Sequence, residues 1–529
     1  MRSVQMSSKP IVKLQFLGGV ATGDLGLTGS CILLTVMFGK KTIKILIDLG
    51  LIQCKPECFF TRNLEILNYL DPRTIDVVIL THSHTDHVSR LPLLTKHGFS
   101  GRIFCTYATA DILEIMLSDS AKIQKELLKI SQNKTKKVKN KREKGFLRDK
   151  GTLRYDKLKG RFKNHEHVDV LYKDVDVSET IKLVKYGGCD YHTNTRIAKD
   201  VDLVLYHSGH VLGGAICVIK IKDPEAKDIC LGFSGDLGRE DGIILPPPEF
   251  INEQLNCWVT ESTYGGKIHP HREEEIEKLK RIIKEAGQNK GVIIIPSFAL
   301  ERTQEIVYLL SYYMEIGEIP KINIYLDSPM AAKITNVFAA YWDKGMFADQ
   351  GKLDFNPFDI NQNCQLKIIP DSESSRGFAG SVGPYIIIAG SGNCDAGRVR
   401  SHLRLNLAKK NTYICLVGYM PPNSLGNRLK ENPTSVRMND QEIIIKANIA
   451  SFDSLSAHAD GKRLVEFTKK IIENFKTEEG EEQKIYIVHG DPPSAVWLKH
   501  DIMKAMNFPK GLADNICIPT LNQICDISE

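Results

Sequence analysis

Thr81-His-Ser-His-Thr-Asp-His-Val-Ser-Arg90 decides how this chain reads. Three of its fifteen histidines fall between His82 and His87, where even spreading would put about 0.17. Imidazoles and a carboxylate crowded together suit a divalent transition metal, because both offer lone pairs to a borderline-soft cation. The preceding Asp76-Val-Val-Ile-Leu80 has the pattern of a short buried strand, so the cluster sits on the loop leaving it. One such loop can serve two neighbouring ions, His82 and His84 for one, Asp86 and His87 for the other.

The pattern resembles the HxHxDH signature of the metallo-β-lactamase superfamily. Asp48, in Ile45-Leu-Ile-Asp-Leu-Gly50, matches that superfamily's first motif, an aspartate that orients the metal loop from behind. His210, in Ser208-Gly-His-Val-Leu-Gly-Gly-Ala215, matches its third. Asp236, in Leu231-Gly-Phe-Ser-Gly-Asp-Leu-Gly238, matches its fourth. Neither of the last two segments says much alone, since a Gly-His or Gly-Asp pair after a strand is usually a turn. Their order after HxHxDH carries the resemblance.

Three later segments resemble motifs A, B and C of the β-CASP nucleases, a branch acting on nucleic acids. They are Thr260-Glu-Ser-Thr-Tyr-Gly265, Ser454-Leu-Ser-Ala-His-Ala-Asp460 and Ile485-Tyr-Ile-Val-His-Gly490. Between A and B, Pro296-Ser-Phe-Ala-Leu-Glu-Arg-Thr-Gln-Glu305, Leu326-Asp-Ser-Pro-Met-Ala331, Gly390-Ser-Gly-Asn-Cys-Asp-Ala-Gly-Arg398 and Gly418-Tyr-Met-Pro-Pro-Asn-Ser-Leu-Gly426 are similar to segments of the inserted β-CASP domain. The likeness runs from about Val12 to about Asp491. It departs after Gly418, where Met-Pro-Pro-Asn-Ser replaces the usual polar or acidic residue and Gly-Thr.

The resemblance implies an α/β fold, an αββα metallo-β-lactamase sandwich with an inserted α/β β-CASP domain. The expected boundaries are 11–261 for the first part of the sandwich, 262–430 for the β-CASP domain and 431–529 for the returning part. It implies two zinc ions, with manganese an alternative. His82, His84 and His210 would hold one, Asp86, His87 and His489 the other, and Asp236 would bridge. Two ions about 3.5–4 Å apart activate water and clamp a phosphate. His458, held by Glu261, would protonate the leaving 3′-oxygen, giving 5′-phosphate and 3′-hydroxyl products. His489 at motif C favours RNA, since DNA-directed relatives carry valine there. The implied activity is a zinc-dependent ribonuclease on single-stranded RNA, endonucleolytic because the long C-terminal extension of ribonuclease J-like enzymes is lacking. The alternatives are a 5′-3′ exoribonuclease, a DNA nuclease of the same fold, a small-molecule hydrolase and a non-catalytic RNA-binding subunit. Family positions place Arg302, Arg398, His402 and Ser424 at the RNA.

Composition agrees. A length of 529 residues exceeds one core, and 42% hydrophobic with 25% charged residues is ordinary for a globular protein. No stretch approaches a membrane span, and Met1 to Pro10 lacks a signal peptide's apolar core. Thirteen scattered cysteines suggest thiols in a reducing cytoplasm; Cys54 and Cys58, spaced CxxxC, are expected to bind no metal. Oligomeric state stays open, a homodimer included.

Charge is local. Residues 121–164 hold 17 Lys and Arg against 4 Asp and Glu, a net of +13 in a chain of +6, so the remainder is −7. Ala108 to Leu128 has helical spacing of apolar residues, and Ser131 to Lys150 reads as a solvated loop or frayed helix. Lys136, Lys137, Lys139, Lys141 and Arg142 in this run are candidate phosphate contacts. A plain solvated surface is the competing reading.

Overall fold

The computed structural model describes residues 9–20, 28–54, 58–143, 169–184, 187–224, 226–348, 352–418, 420–438, 441–473, 484–506 and 515–528, with side chains of the first long helix described as far as residue 129. Its strands form two seven-stranded sheets, one six-stranded sheet and a hairpin.

The first sheet runs Ile524–Asp526, Ile11–Phe16, Ile32–Phe38, Lys41–Ile47, Val77–Ile79, Arg102–Thr106, Gly188–Cys189. The second runs Ile516–Cys517, Lys484–Val488, Cys257–Glu261, Ile229–Phe233, Ala215–Ile221, Val201–His207, Thr195–Ala198. Side chains alternate across each strand, so neighbours serve different layers. Leu14, Phe16 and Ile45 of the first sheet share a core with Leu203, Ile219 and Phe233 of the second. Leu46 and Val78 turn outward onto Leu93, Leu113 and Tyr172. Val218, Trp258 and Ile487 turn outward onto Leu464, Ile471 and Leu498 of the helices Gly461–Glu473 and Pro492–Ala505. These are the four layers of an αββα sandwich.

The third sheet is wholly parallel, in the order Leu366–Ile368, Ile324–Asp327, Tyr385–Ala389, Val292–Pro296, Thr412–Val417, Asn448–Phe452. Parallel strands need cover on both faces, and the sequence supplies it with runs such as Val292-Ile-Ile-Ile295, buried throughout. Ile293 and Ile295 meet the helices Arg272–Gln288, Arg302–Glu315 and Pro329–Tyr341. Val292 and Ile294 meet Val399, Leu403 and Leu425 on the opposite face. The first of these clusters also takes in Ile112, Val211, Leu212 and Ile244, which ties the inserted unit to the sandwich.

Several expectations shift. The third sheet's last strand, Asn448–Phe452, lies beyond residue 430, where the return to the sandwich was expected, because it pairs in register with Thr412–Val417. The first long helix spans Tyr107–Glu143, so its backbone continues through much of the stretch read as loop or frayed helix. The side chains of Lys136, Lys137, Lys139, Lys141 and Arg142 lie outside the described residues. The last residues supply an edge strand to each sandwich sheet, Ile524–Asp526 on Ile11–Phe16 and Ile516–Cys517 on Lys484–Val488. Among the described residues no helix is long and apolar enough to cross a membrane.

Candidate metal centre

Each donor sits where a strand ends. Val77–Ile79 delivers the loop with His82 and His84, and a one-turn helix Thr85–Val88 carries Asp86 and His87. His210 follows Val201–His207, Asp236 follows Ile229–Phe233, and His489 follows Lys484–Val488. Two positions need glycine for these loops to meet. A Cβ on Gly50 would come within 1.5 Å of the Asp86 carbonyl oxygen, and one on Gly238 within 1.9 Å of the Gly209 carbonyl oxygen.

The donors fall into two groups, His82, His84, His210 and Asp236, and Asp86, His87 and His489, each with its candidate ligand atoms within 4.8 Å of one another. In the first group His84 Nδ1 lies 3.1 Å from His82 Nε2 and 3.2 Å from His210 Nε2. Asp236 Oδ2 lies 3.5 Å from His82 Nε2 and 3.6 Å from His210 Nε2. In the second, His87 Nε2 is 3.2 Å from His489 Nε2, which is 3.4 Å from Asp86 Oδ2. Asp236 Oδ1 reaches this side, 3.3 Å from His87 Nε2 and 3.1 Å from His489 Nδ1.

The donor set fits a metal. Nitrogens about 2.05 Å from one tetrahedral centre stand roughly 3.3 Å apart, which is the spacing seen here. The His210 Nδ1 and Asp236 Oδ1 atoms are buried with no hydrogen bond. Buried polar atoms without partners are costly, and a cation would satisfy the Asp236 oxygen.

Electrostatics keep donors unprotonated where histidines crowd. Burial and neighbouring imidazoles hold His82 and His210 well below the usual histidine range, and burial takes His84 down to about 4. Burial also pushes on His87 and His489, but the carboxylates beside them win and raise both, Asp236 first in each case. Asp236 itself is held far down by His489, His87 and His82 despite burial.

Behind the donors stands Asp48, in a left-handed backbone conformation at φ 57°. Its Oδ2 takes His87 Nδ1 at 2.8 Å and the Thr81 hydroxyl at 2.8 Å, and its Oδ1 takes the Thr81 N–H at 2.8 Å. With Nδ1 so engaged, His87 turns Nε2 inward, the atom that would ligate once its proton is displaced. Thr81 lies in the quoted stretch and Thr263 in motif A, yet the sequence assigned a role to neither; the Thr263 hydroxyl donates to the His489 carbonyl at 3.0 Å. His489 is also left-handed, at φ 54°, which suits a residue constrained by its site.

Beside the first group, His458 Nδ1 lies 3.3 Å from Glu261 Oε1, and the His458 and His210 ring centroids are 4.3 Å apart. Glu261 is fully buried and anchored, taking the Leu237 N–H at 2.8 Å and the Thr263 N–H at 3.0 Å. Burial lowers the His458 pKa, but Glu261 and then Asp236 and Asp86 raise it by more. His269 Nε2 lies 3.0 Å from the His458 carbonyl oxygen and donates to it. His207 stacks on Tyr191 with centroids 3.6 Å apart, a packing role.

The four residues expected at RNA in the inserted unit each have an internal partner. Arg302 is buried and pairs with Glu305. Arg398 donates to Asp327 Oδ1 at 2.7 Å, and His402, fully buried, sits 2.7 Å from Asp327 Oδ2. Ser424 caps the helix Leu425–Lys430, taking the Asn427 N–H at 3.1 Å. Their side chains are committed because a buried carboxylate, or a helix end, needs satisfying first.

Three family models match, in chain order: the metallo-beta-lactamase superfamily domain over residues 37–230, the Beta-Casp domain over 303–429, and the Zn-dependent metallo-hydrolase RNA specificity domain over 442–510. The chain belongs to the β-CASP branch of the metallo-β-lactamase superfamily. This β-CASP chain is 27% identical over 453 residues to a ribonuclease of Thermus thermophilus, covering 85% of this chain and 88% of that one. It is 25% identical over 498 residues to a transcription termination factor of Methanosarcina mazei, covering 92% of this chain and 69% of the other. A cleavage and polyadenylation specificity factor subunit 3-I of Arabidopsis thaliana is 25% identical over 457 residues, 85% of this chain but 56% of the plant protein.

Proposed function

We propose that this β-CASP protein is a metal-dependent ribonuclease that cuts single-stranded RNA internally, in the cytoplasm, with zinc as its metal. The observation that carries the reading is the joining of two donor groups through one carboxylate, Asp236, beside His458 and its buried partner Glu261. The match to an RNA specificity domain and the ribonuclease relative support RNA as the substrate. Imidazole-rich donors favour zinc over harder cations.

His82, His84 and His210 would hold one ion, Asp86, His87 and His489 a second, with Asp236 between. When bound, such a pair supplies a clamp for phosphate oxygens and a nucleophile from water near neutral pH. The chain's own residues do the rest. Asp48 keeps His87 in the tautomer that ligates. Glu261 occupies His458 Nδ1, which leaves Nε2 to hand a proton to the departing 3′-oxygen. Glu261, with Asp236 and Asp86, raises the His458 pKa against burial, which favours the protonated form this task needs.

One assay tests the reading. Zinc-loaded protein should cut an internally labelled RNA into fragments bearing 5′-phosphate and 3′-hydroxyl ends, and removal of metal should stop it. A 5′-labelled RNA that releases only mononucleotides would replace internal cutting with exonucleolytic action. Cutting of single-stranded DNA with no cutting of RNA would refute the substrate, and full activity without metal would refute the mechanism.

A further inference from the structure

The inserted unit presents an exposed phenylalanine where the connections from two adjacent parallel strands diverge to opposite faces of its sheet. Strands Val292–Pro296 and Tyr385–Ala389 are adjacent and parallel. The chain leaves the first through the helix Arg302–Glu315, which packs on one face of the sheet. It leaves the second through Val399–Asn406, which packs on the other. Between the carboxyl ends of two such strands the connections diverge and a crevice opens, the usual ligand position in an open parallel sheet.

Phe298 stands at that crevice. It is 47% exposed, where the neighbouring Ser297, Ala299 and Leu300 are buried. Its ring is seated on Gly392, in the loop after the adjacent strand. A Cβ at Gly392 would come within 2.7 Å of Phe298 Cδ2 and 2.9 Å of Cε2, so only glycine gives the ring this seat. The backbone beneath is held. The Phe298 carbonyl takes the Thr303 hydroxyl at 2.7 Å, and the Ser297 N–H donates to the Ala389 carbonyl at 3.1 Å.

The same loop is tied to the metal centre. Glu301 Oε2 takes the Leu212 N–H at 3.0 Å, two residues beyond His210. Glu301 adopts φ 66° and ψ −61°, with the Arg302 N–H donating to the Leu300 carbonyl at 2.9 Å. That is a γ-turn of the rare, strained hand, and the surroundings must hold it. The loop carrying Phe298 therefore ends in a fixed contact with the loop carrying His210.

We propose that Phe298 is a stacking platform for a nucleobase of the RNA bound across the metal centre. A fixed, half-exposed ring seated on glycine costs little ordering when a base stacks on it. Every base has a π-face, so the contact adds affinity without sequence preference. The proposal rests on the ribonuclease reading and assigns the ring a role of its own.

The test uses metal-loaded full-length protein and single-stranded RNAs of two unrelated sequences. Phe298→Ala should raise KM by about 5- to 150-fold on both, the range for losing one base–aromatic stack. Phe298→Trp should keep affinity near wild type, and Phe298→Leu should behave like the alanine variant. In stopped-flow mixing, RNA with 2-aminopurine scanned along it should be quenched at one position by wild type and not by Phe298→Ala. Removing that single base from the RNA should cost wild type as much as the mutation does. An unchanged KM for Phe298→Ala, or full retention by Phe298→Leu, overturns the platform while RNA cutting by wild type keeps the ribonuclease reading. If wild type neither binds nor cuts RNA, the ribonuclease reading falls and the platform with it.

Discussion

Asp48 Oδ2 lies 2.8 Å from His87 Nδ1, and the same carboxylate accepts both the N–H and the hydroxyl of Thr81, one residue before His82. One side chain thus holds His87 and the start of the loop that carries four of the candidate donors. Asp48→Asn is the informative change. Its amide would present N–H to His87 Nδ1, so Nδ1 would have to accept and Nε2 would carry the proton into the site. Metal affinity should fall by ~10–100-fold, as when an outer partner of a ligating histidine is removed. Chelator competition measures it, and an unchanged metal affinity would show that Asp48 does not set the tautomer.

Asp86 is partly exposed, and against the burial that would raise it, His489 and His87 lower its carboxylate. Asp86→Ala should abolish RNA cutting and leave RNA binding largely intact, because six other candidate donors and the basic run at 121–164 remain. Metal analysis of wild type should give about two ions per chain. Residual cutting by the mutant at the wild-type rate would remove Asp86 from the machinery.

For His458 the expectation separates proton transfer from ligation. His458→Ala should slow cutting by ~10²–10⁴ with the metal content unchanged. An RNA whose 3′-oxygen is replaced by a better leaving group should recover much of the loss, since that atom then needs no proton. Loss of metal on mutation would make His458 a ligand instead.

The grouping of the candidate donors was legible in the sequence because such a cluster of histidine and aspartate is rare and four of them share one loop. His210, Asp236 and His489 were readable only in order, since each sits in a segment that resembles an ordinary turn. Thr81, Thr263 and Glu301 were not readable: threonine and glutamate are common, and their roles arise from loops that are distant in sequence and meet in space. The edge strands Ile516–Cys517 and Ile524–Asp526 are too short for an alternation to show. The pairing of Arg302 with Glu305, and of Arg398 and His402 with Asp327, was not readable, because those carboxylates carry no local sign of burial.

Glu301 gives a pH signature. Burial first, and then the neighbouring Glu305 carboxylate, raise its pKa well above 4.5. A raised acid binds more protons in the folded state, so its contribution is full below the unfolded pKa. That contribution is lost as pH rises from there through the folded pKa. Glu301→Gln keeps an acceptor for the Leu212 N–H and cannot ionise. Relative to wild type, its melting temperature should therefore rise progressively above pH ~4.5. A difference that is flat with pH would mean that Glu301 ionises in the folded protein as it does in the unfolded chain.

The basic run gives the last prediction, and it comes from charge alone. Residues 121–164 carry +13 while the rest of the chain carries −7, so nonspecific attraction for RNA is concentrated there. Replacing Lys134, Lys136, Lys137, Lys139, Lys141 and Arg142 by Ser should weaken RNA binding. It should also flatten its salt dependence, each lost contact with single-stranded RNA reducing the slope of log K against log salt by ~0.7. The change should be alike for unrelated sequences, because phosphates carry no sequence information. Turnover at saturating RNA should move far less, since these contacts would be made equally before and during the reaction. The Phe298 stack makes the opposite prediction for salt: a base contact releases no counterions, so its loss should lower affinity at every salt concentration and leave the slope in place. Measuring both variants across the same salt series therefore assigns each loss to phosphate or to base. A slope unchanged by the six-residue replacement would return the run to a solvated surface.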